Sequence, residues 1–359
     1  MRGEDEFDEL SDPDLLDELE GVDEYDSWRV FLPEDDDVNG EDDLTQAADE
    51  KPTLDDVIAH LLRGERRYAD LLGLSDLGTD DLATLVESWD RIAPDLRATV
   101  VSEAFDLAQD NIFLEFSRFF LFASHDGDDA VRQHAVRALG QQTGDGIAPR
   151  LIALLEGDPS EDVRIAAATS LGPWAEYAAL DELDADLSER IASLLFAVAE
   201  SGEESWHVRR RAAESAAIFG PNARVHRLIQ VMYDEDELGL RASAIFAAGR
   251  ANQREWLPVV LEELANDDPE LRFEAARAAG WFADVSALPA LSELAKDDED
   301  SDVRHAAILA IGNIGGRGGI RILNRLVDVA PDGDQDVIEE ALVEASILSV
   351  PFGQRSDDD

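Results

Sequence analysis

The chain has 359 residues, and its 82 Asp and Glu against 30 Lys and Arg leave a formal charge of −52. The bases are 28 Arg and only 2 Lys (Lys51 and Lys296). Such a balance speaks against nucleic-acid and anionic-membrane partners, which need a basic footprint, and the absence of Cys excludes disulfides, thiolate catalysis and Cys-ligated zinc.

Residues 1–50 hold 22 acids and 2 bases and show no sustained periodicity, so they are expected to form a disordered acidic arm. Two apolar islands interrupt it. One is Phe7, Leu10, Leu15, Leu16 and Leu19, spaced like one face of a short helix; the other runs from Tyr25 through Trp28 to Leu32. Either would suit docking on a partner or on the protein's own groove. No apolar run approaches the ~18 residues of a membrane span, and Met1-Arg2-Gly3-Glu4-Asp5 lacks the apolar core of a leader. The expectation is a soluble, cytoplasmic protein.

From Lys51 the pattern turns helical, and residues 51–124 read as an irregular helical cap. Thr53 and Asp56 suit a capping-box variant ahead of Leu54, Val57, Ile58, Leu61 and Leu62. Thr79-Asp80-Asp81 opens a helix through Leu82, Leu85, Val86 and Trp89, and Pro94 stands where a first-turn proline is tolerated. The stretch Ile112–Phe122 is apolar on nearly every side and predicts a buried helix. No strand-period run of consequence occurs; the chain is expected to be all-α.

Self-comparison then dominates. Val131-Arg132…Ala135…Leu139-Gly140 recurs as Val163-Arg164…Ala167…Leu171-Gly172, Leu240-Arg241…Ala244…Ala248-Gly249, Leu271-Arg272…Ala275…Ala279-Gly280 and Val303-Arg304…Ala307…Ile311-Gly312. A looser copy, Val208-Arg209…Ala212, has Ala217 in the glycine position, and a degenerate one has Ile338 in place of Arg. The arginines step by 32, 45, 32, 31 and 32 residues, the long step carrying an insertion at about 173–187. Each unit has a first helix, an acidic turn, and a second helix carrying the motif. Ala at Arg+3 lets neighbouring helices approach, and Gly at Arg+8 ends the helix or passes close to another backbone. A single pair cannot bury its apolar face, so the pairs must stack.

These residues resemble HEAT repeats of the short, Gly-terminated variety known as PBS-lyase-like. The resemblance implies an α-α superhelix, a HEAT-like solenoid of about seven helix pairs over 125–350, with the cap before it and an acidic tail at 351–359. It also implies that Arg132, Arg164, Arg209, Arg241, Arg272 and Arg304 are structural, bonding acidic and backbone groups in the inter-repeat turns; acids stand just upstream at Asp129, Asp162, Glu204, Glu237, Glu270 and Asp302. The Asp-rich, Lys-poor composition resembles that of proteins from salt-accumulating halophilic archaea. Screening shortens from about 10 Å at 0.1 M salt to about 3 Å at 1 M, which relieves the self-repulsion.

Function is sought where the repeats differ. Positions Arg+1 and Arg+5 share a helix face and read Gln133/Arg137, Ile165/Thr169, Arg210/Glu214, Ala242/Phe246, Phe273/Arg277 and His305/Leu309. Arg250 and Trp281 lie near helix ends. The candidate partner-binding residues are therefore Arg137, Arg210, Phe246, Arg250, Phe273, Arg277, Trp281 and His305, aromatics beside Arg being common in interface hot spots.

Catalytic signals are nearly absent. The six His are scattered, no P-loop, His-Glu-x-x-His or Gly-x-Ser-x-Gly occurs, and Gly312–Gly319 follows a helix rather than a strand. Asp332-Gly333-Asp334-Gln335-Asp336 resembles the start of a calcium loop, but Val337 and Val343 stand where that loop needs Gly and Glu. No cofactor or metal is expected. The favoured reading is a non-enzymatic protein–protein scaffold or adaptor using the concave face of the solenoid. The alternatives are a bilin- or tetrapyrrole-lyase-like subunit, from the resemblance, and an acidic chaperone for basic clients, from the charge.

Overall fold

A computed structural model describes residues 51–349 with the exception of Ile112. The arm at 1–50 with its two islands and the tail at 351–359 lie outside the described residues. Among those described there are eighteen α-helices, five short 3-10 turns and no strand, so the all-α reading holds. The described residues form two compact units, divided between Trp174 and Ala175.

The first unit starts with α1 (Leu54–Leu62), α2 (Tyr68–Leu72), α3 (Thr79–Ser88) and α4 (Pro94–Asp110). Thr53 caps α1 by accepting from the Asp56 amide, and its hydroxyl donates to the Asp56 carboxylate at 2.7 Å. Pro94 is the first residue of α4, where a missing N–H costs nothing. The core gathers on Trp89, fully buried, edge-on to Phe119 and Phe122 at 5.5 and 5.9 Å.

The structure departs from the buried helix expected over Ile112–Phe122. The apolar stretch does not make a helix from its start: α5 spans only Ser117–Ala123, and Phe113 is 86% exposed. The Asp76 amide donates to the Glu115 carbonyl at 2.7 Å and the Glu115 amide to the Ser75 hydroxyl at 3.0 Å. These bonds tie up backbone groups that a longer helix would need, and the Glu115 carboxylate then accepts from the Ser117 amide at the start of α5. Phe116, Phe119, Phe120 and Phe122 are buried as expected.

The helix pairs follow: α5 with α6 (Asp129–Leu139), α7 (Ile147–Gly157) with α8 (Glu161–Ala179), α9 (Ala185–Ala199) with α10 (Trp206–Ala216), α11 (Ala223–Tyr233) with α12 (Leu238–Arg250), α13 (Leu257–Glu263) with α14 (Pro269–Phe282), α15 (Leu288–Asp297) with α16 (Ser301–Ile314), and α17 (Gly316–Leu326) with α18 (Gln335–Ser349). These are the seven pairs that the repeat arithmetic implies. Much of the long repeat step is helical: α8 continues through Pro173 to Ala179, and α9 starts at Ala185, capped by the Asp184 carboxylate. In the looser copy α10 stops at Ala216 and a 3-10 turn, Ala217–Phe219, takes over.

The repeat glycines act mainly through close approach. Gly249, Gly280 and Gly312 all lie within helices. A Cβ on Gly249 would lie 2.6 Å from the Ala278 Cα, one on Gly280 3.0 Å from the Ala310 Cα, and one on Gly312 2.9 Å from the Ala341 carbonyl. Consecutive second helices α12, α14, α16 and α18 therefore meet backbone to backbone, glycine against alanine.

Candidate functional site

The repeated arginines fix the turns that present the rest. Arg132 donates Nε and Nη2 to the two carboxylate oxygens of Asp158 (2.8 and 2.9 Å) and Nη1 to the carbonyls of Asp126 and Gly127. Arg272 does the same with Asp298 (2.8 and 2.9 Å) and the carbonyls of Asn266 and Asp267. Arg304 holds Asp334 (2.8 and 3.2 Å) and the Asp298 carbonyl. Arg164 donates to the Asp158 carbonyl at 2.8 Å. Arg209 reaches Glu235 at 3.7 Å, and Arg241 reaches Glu263 at 3.2 Å while stacking over Tyr233.

For Arg132, Arg209, Arg241, Arg272 and Arg304 the acids named above are not the ones just upstream. Those neighbouring turns serve the helix starts: Asp128, Asp268 and Asp300 cap α6, α14 and α16 by accepting first-turn amides. The acid that takes each guanidinium lies mostly about 26 residues downstream, six positions before the next repeat's Arg, as Asp158, Glu235 and Asp298 show. In the fifth repeat that position is Asn266, and Glu263 substitutes, taking a 2.6 Å bond from the Asn266 amide. Arg97 on α4 plays the same part for Asp126, at 2.8 Å, although it precedes the repeats legible in sequence. Bidentate pairing of this kind locks successive turns together.

On the other face of the second helices, within the second unit, four of the candidate residues come together. Phe246 on α12 meets Trp281 on α14 edge-on at 5.1 Å. The Arg277 guanidinium lies 4.8, 5.5 and 5.2 Å from the centroids of Phe246, Phe273 and Trp281, an aromatic box filled by the protein's own cation. Gly249 makes the box possible, because a Cβ there would also lie 2.7 Å from the Trp281 ring. Glu274, one turn before Arg277, bonds it at 3.1 Å. Burial pushes the Glu274 carboxyl up to about 7, against the pull of Arg277 and Arg210 and with the help of Glu214 nearby.

Arg210 belongs to an adjoining network. Its Nε donates to the Ser243 hydroxyl at 3.0 Å and its Nη2 to Glu270 at 3.2 Å, while Ser243 donates to Glu214. Arg211 closes on Glu214 at 2.6 Å. Gly239 gives the side chains room: a Cβ there would lie 2.7 Å from both the Arg210 Nη1 and the Trp206 ring.

Of the remaining candidates, His305 borders the same cavity, whereas Arg250 and Arg137 do not line it. His305 Nε2 and the Asp334 carboxylate lie 2.8 Å apart. Since Arg304 also holds Asp334 and keeps that carboxyl below the usual range, the suspected calcium-loop acid is an ion-pair partner. Arg250 sits 3.6 Å from Glu176. Arg137 is exposed on α6 in the first unit, beside His134, whose imidazole is pushed down by burial and then by Arg137. Ala242, one of the Arg+1 positions, is fully buried, so the stripe is not surface throughout.

Two adjoining cavities extend from the aromatic box across α16 to α18. One, of about 370 Å³, is lined by Phe273, Arg277, Trp281, His305 and Leu309 among others. The next, of about 410 Å³, is lined by Leu309, Asn313, Glu340, Val343 and Glu344 with Ala341. Leu309 and Asn313 border both. Trp281, Leu309 and Val343 are 38%, 37% and 62% exposed. The α18 wall was missed in sequence, although Val343 is Arg+5 once Ile338 is counted as the repeat position. Glu214 and Glu274 were missed as a pair because they lie 60 residues apart. Among the described residues no group of three or more His, Asp or Glu is placed to hold a metal ion, and no helix is long and apolar enough to cross a membrane.

With stacked pairs, an arginine ladder and glycine-alanine crossings in place, the class is an α-α repeat protein. The sequence profile of HEAT repeats matches residues 118–187, 225–312 and 257–346, more than half of the chain, and the chain belongs to the HEAT-repeat family. Solved structures are similar at low identity. YibA of Escherichia coli is 18% identical over 88% of this chain and 99% of its own, with a TM-score of 0.41. The complex of CpcE and CpcF of phycocyanin lyase from Nostoc is 20% identical over 66% and 90%, at 0.48. A designed armadillo repeat protein is 18% identical over 55% and 99%, at 0.35. No curated protein sequence matches the chain.

Proposed function

We propose that this chain is a non-enzymatic scaffold or adaptor that holds a partner protein on the face formed by α12, α14, α16 and α18. The observation that carries the reading is the run of exposed apolar side chains, Trp281, Leu309 and Val343, along a continuous groove in a chain of charge −52. Exposed apolar groups in a row across three successive repeats mark an interaction surface. The polar groups nearest the groove support binding over catalysis, because Arg277, Arg210 and His305 are each already matched by Glu274, Glu270 and Asp334.

The repeats are of the short, PBS-lyase-like variety, and the charge is an adaptation to a salt-rich cytoplasm. Its evenness supports this: residues 51–359 alone carry 60 acids against 28 bases. The test is affinity capture at molar KCl with the wild type and with Trp281→Ala/Leu309→Asp. The reading expects a specific protein retained by the first and lost by the second. An unchanged set of retained proteins would refute it.

A further inference from the structure

The charges left unmatched around the groove specify the chemistry of what it holds. Three acids on its rim, Asp302, Glu340 and Glu344, are exposed, and their carboxylates make no hydrogen bond or ion pair to the described residues. The other polar groups of the same surface are engaged: Arg277 with Glu274 and three rings, His305 with Asp334. The floor between is apolar, formed by Phe273, Trp281, Leu309 and Val343 over buried alanines. An occupant therefore meets apolar wells and a rim whose unbonded charges are negative.

The wells also set a spacing. They adjoin across α16, and packed helices stand about 8–10 Å apart. Two anchors i and i+7 on a helix are separated by about 10.5 Å, and i and i+3 on an extended chain by about 10 Å.

Resting on the scaffold reading above, we propose that the groove binds a basic amphipathic segment of a partner protein. The segment carries two large apolar anchors at one of these spacings, flanked by Lys or Arg that reach Asp302 on one side and Glu340 and Glu344 on the other. Charge complementarity selects the occupant and the wells hold it. At molar salt the selection by charge weakens while the apolar contact persists, so binding survives the conditions that the protein's own charge requires.

The experiment is selection of a displayed random 12-residue library on the full chain at 0.5 M KCl, counter-selected on Leu309→Asp to remove non-specific basic binders. Enriched sequences are expected to be net positive with paired apolar anchors. A synthetic member should lose at least about tenfold in affinity when its basic residues are changed to Asp. The gap should narrow at 2 M KCl, and Asp302→Lys/Glu340→Lys/Glu344→Lys should invert the preference. Enrichment of neutral or acidic sequences would overturn the proposal, as would a preference indifferent to the triple reversal. If peptides bind only after residues 350–359 are deleted, or only to a monomer that otherwise self-associates, the occupant is the chain's own tail or a second copy, and the proposal fails. Loss of captured protein in Trp281→Ala/Leu309→Asp without any effect of the rim reversal would leave the scaffold reading standing and this one refuted.

Discussion

The glycine-to-alanine crossing of α12 and α14 makes a prediction whose sign is not obvious. Alanine is the better helix former, by about 0.8–1 kcal/mol over glycine in a helix interior, so Gly249→Ala considered alone should stabilise α12. The structure sets the opposing effect. The added Cβ would lie 2.6 and 2.7 Å from the Cα and Cβ of Ala278 and 2.7 Å from the Trp281 ring, where carbon atoms prefer about 3.5–4 Å. Two of these atoms are the Cα and Cβ of the facing helix and cannot swing aside, so α12 and α14 must part by close to 1 Å. Overpacking of that kind costs about 1–3 kcal/mol, and backbone contacts this short on a helix that cannot yield put it at the upper end, leaving a net loss of up to about 2 kcal/mol and a displaced indole. Gly157, at the end of α7 with nothing within 4 Å of its would-be Cβ, is the control: Gly157→Ala should be neutral or slightly stabilising. Urea unfolding followed by circular dichroism at fixed molar KCl measures both. If Gly249→Ala unfolds at the same or higher urea than the wild type, the crossing is not tight and the reasoning is wrong.

Three further predictions concern charge. Glu274 keeps its proton in the folded protein up to about 7, whereas the unfolded chain releases it near 4.5, so unfolding free energy falls as pH rises between those values and is level above them. Glu274→Gln removes the titration, and its stability relative to wild type should rise by about 2.5 kcal/mol from pH 5 to pH 8; a difference constant with pH contradicts the assignment. Asp298→Ala strands the half-buried Arg272 and should cost about 2–4 kcal/mol by urea unfolding, whereas Asp302→Asn on the exposed rim should change stability by less than about 0.5 kcal/mol. Equal effects would dismiss the arginine ladder as a stabilising element. Helical circular dichroism should decline as KCl falls from molar to ~0.1 M, where the repulsion is less screened, and a signal indifferent to salt would separate the charge from solvent adaptation.

The fold was legible because stacking requires small residues at fixed places. Arg+3 alanines and Arg+8 glycines recur since nothing larger fits where α12, α14, α16 and α18 cross. The arginines announced a structural role, but their partners were misassigned to the nearest acids. Those acids lie beside the helix caps; the true partners stand six positions before the next arginine, a register visible as Asp126, Asp158, Glu235 and Asp298 once the motif is aligned. The aromatic box was half legible: Phe246, Phe273, Arg277 and Trp281 share a face by helical spacing, but no local pattern reveals that Gly249 seats the indole. Glu274 escaped because its perturbation comes first from burial, which no local pattern reports, and because the nearby Glu214 lies two repeats back. The stretch ending at Phe122 misled because hydrophobicity reports burial, whereas its helix start is set by bonds from the Ser75–Asp76 turn.

The central claim is that the second-helix groove is where a partner sits. Placing a photoreactive benzoyl-phenylalanine in place of Leu309 or Val343, with a control in place of Glu293 on the exposed side of α15, tests it directly in lysate at molar KCl. The account predicts covalent adducts to one and the same protein from positions 309 and 343 and none from 293. Adducts from 293 alone, or equally from all three, would contradict it.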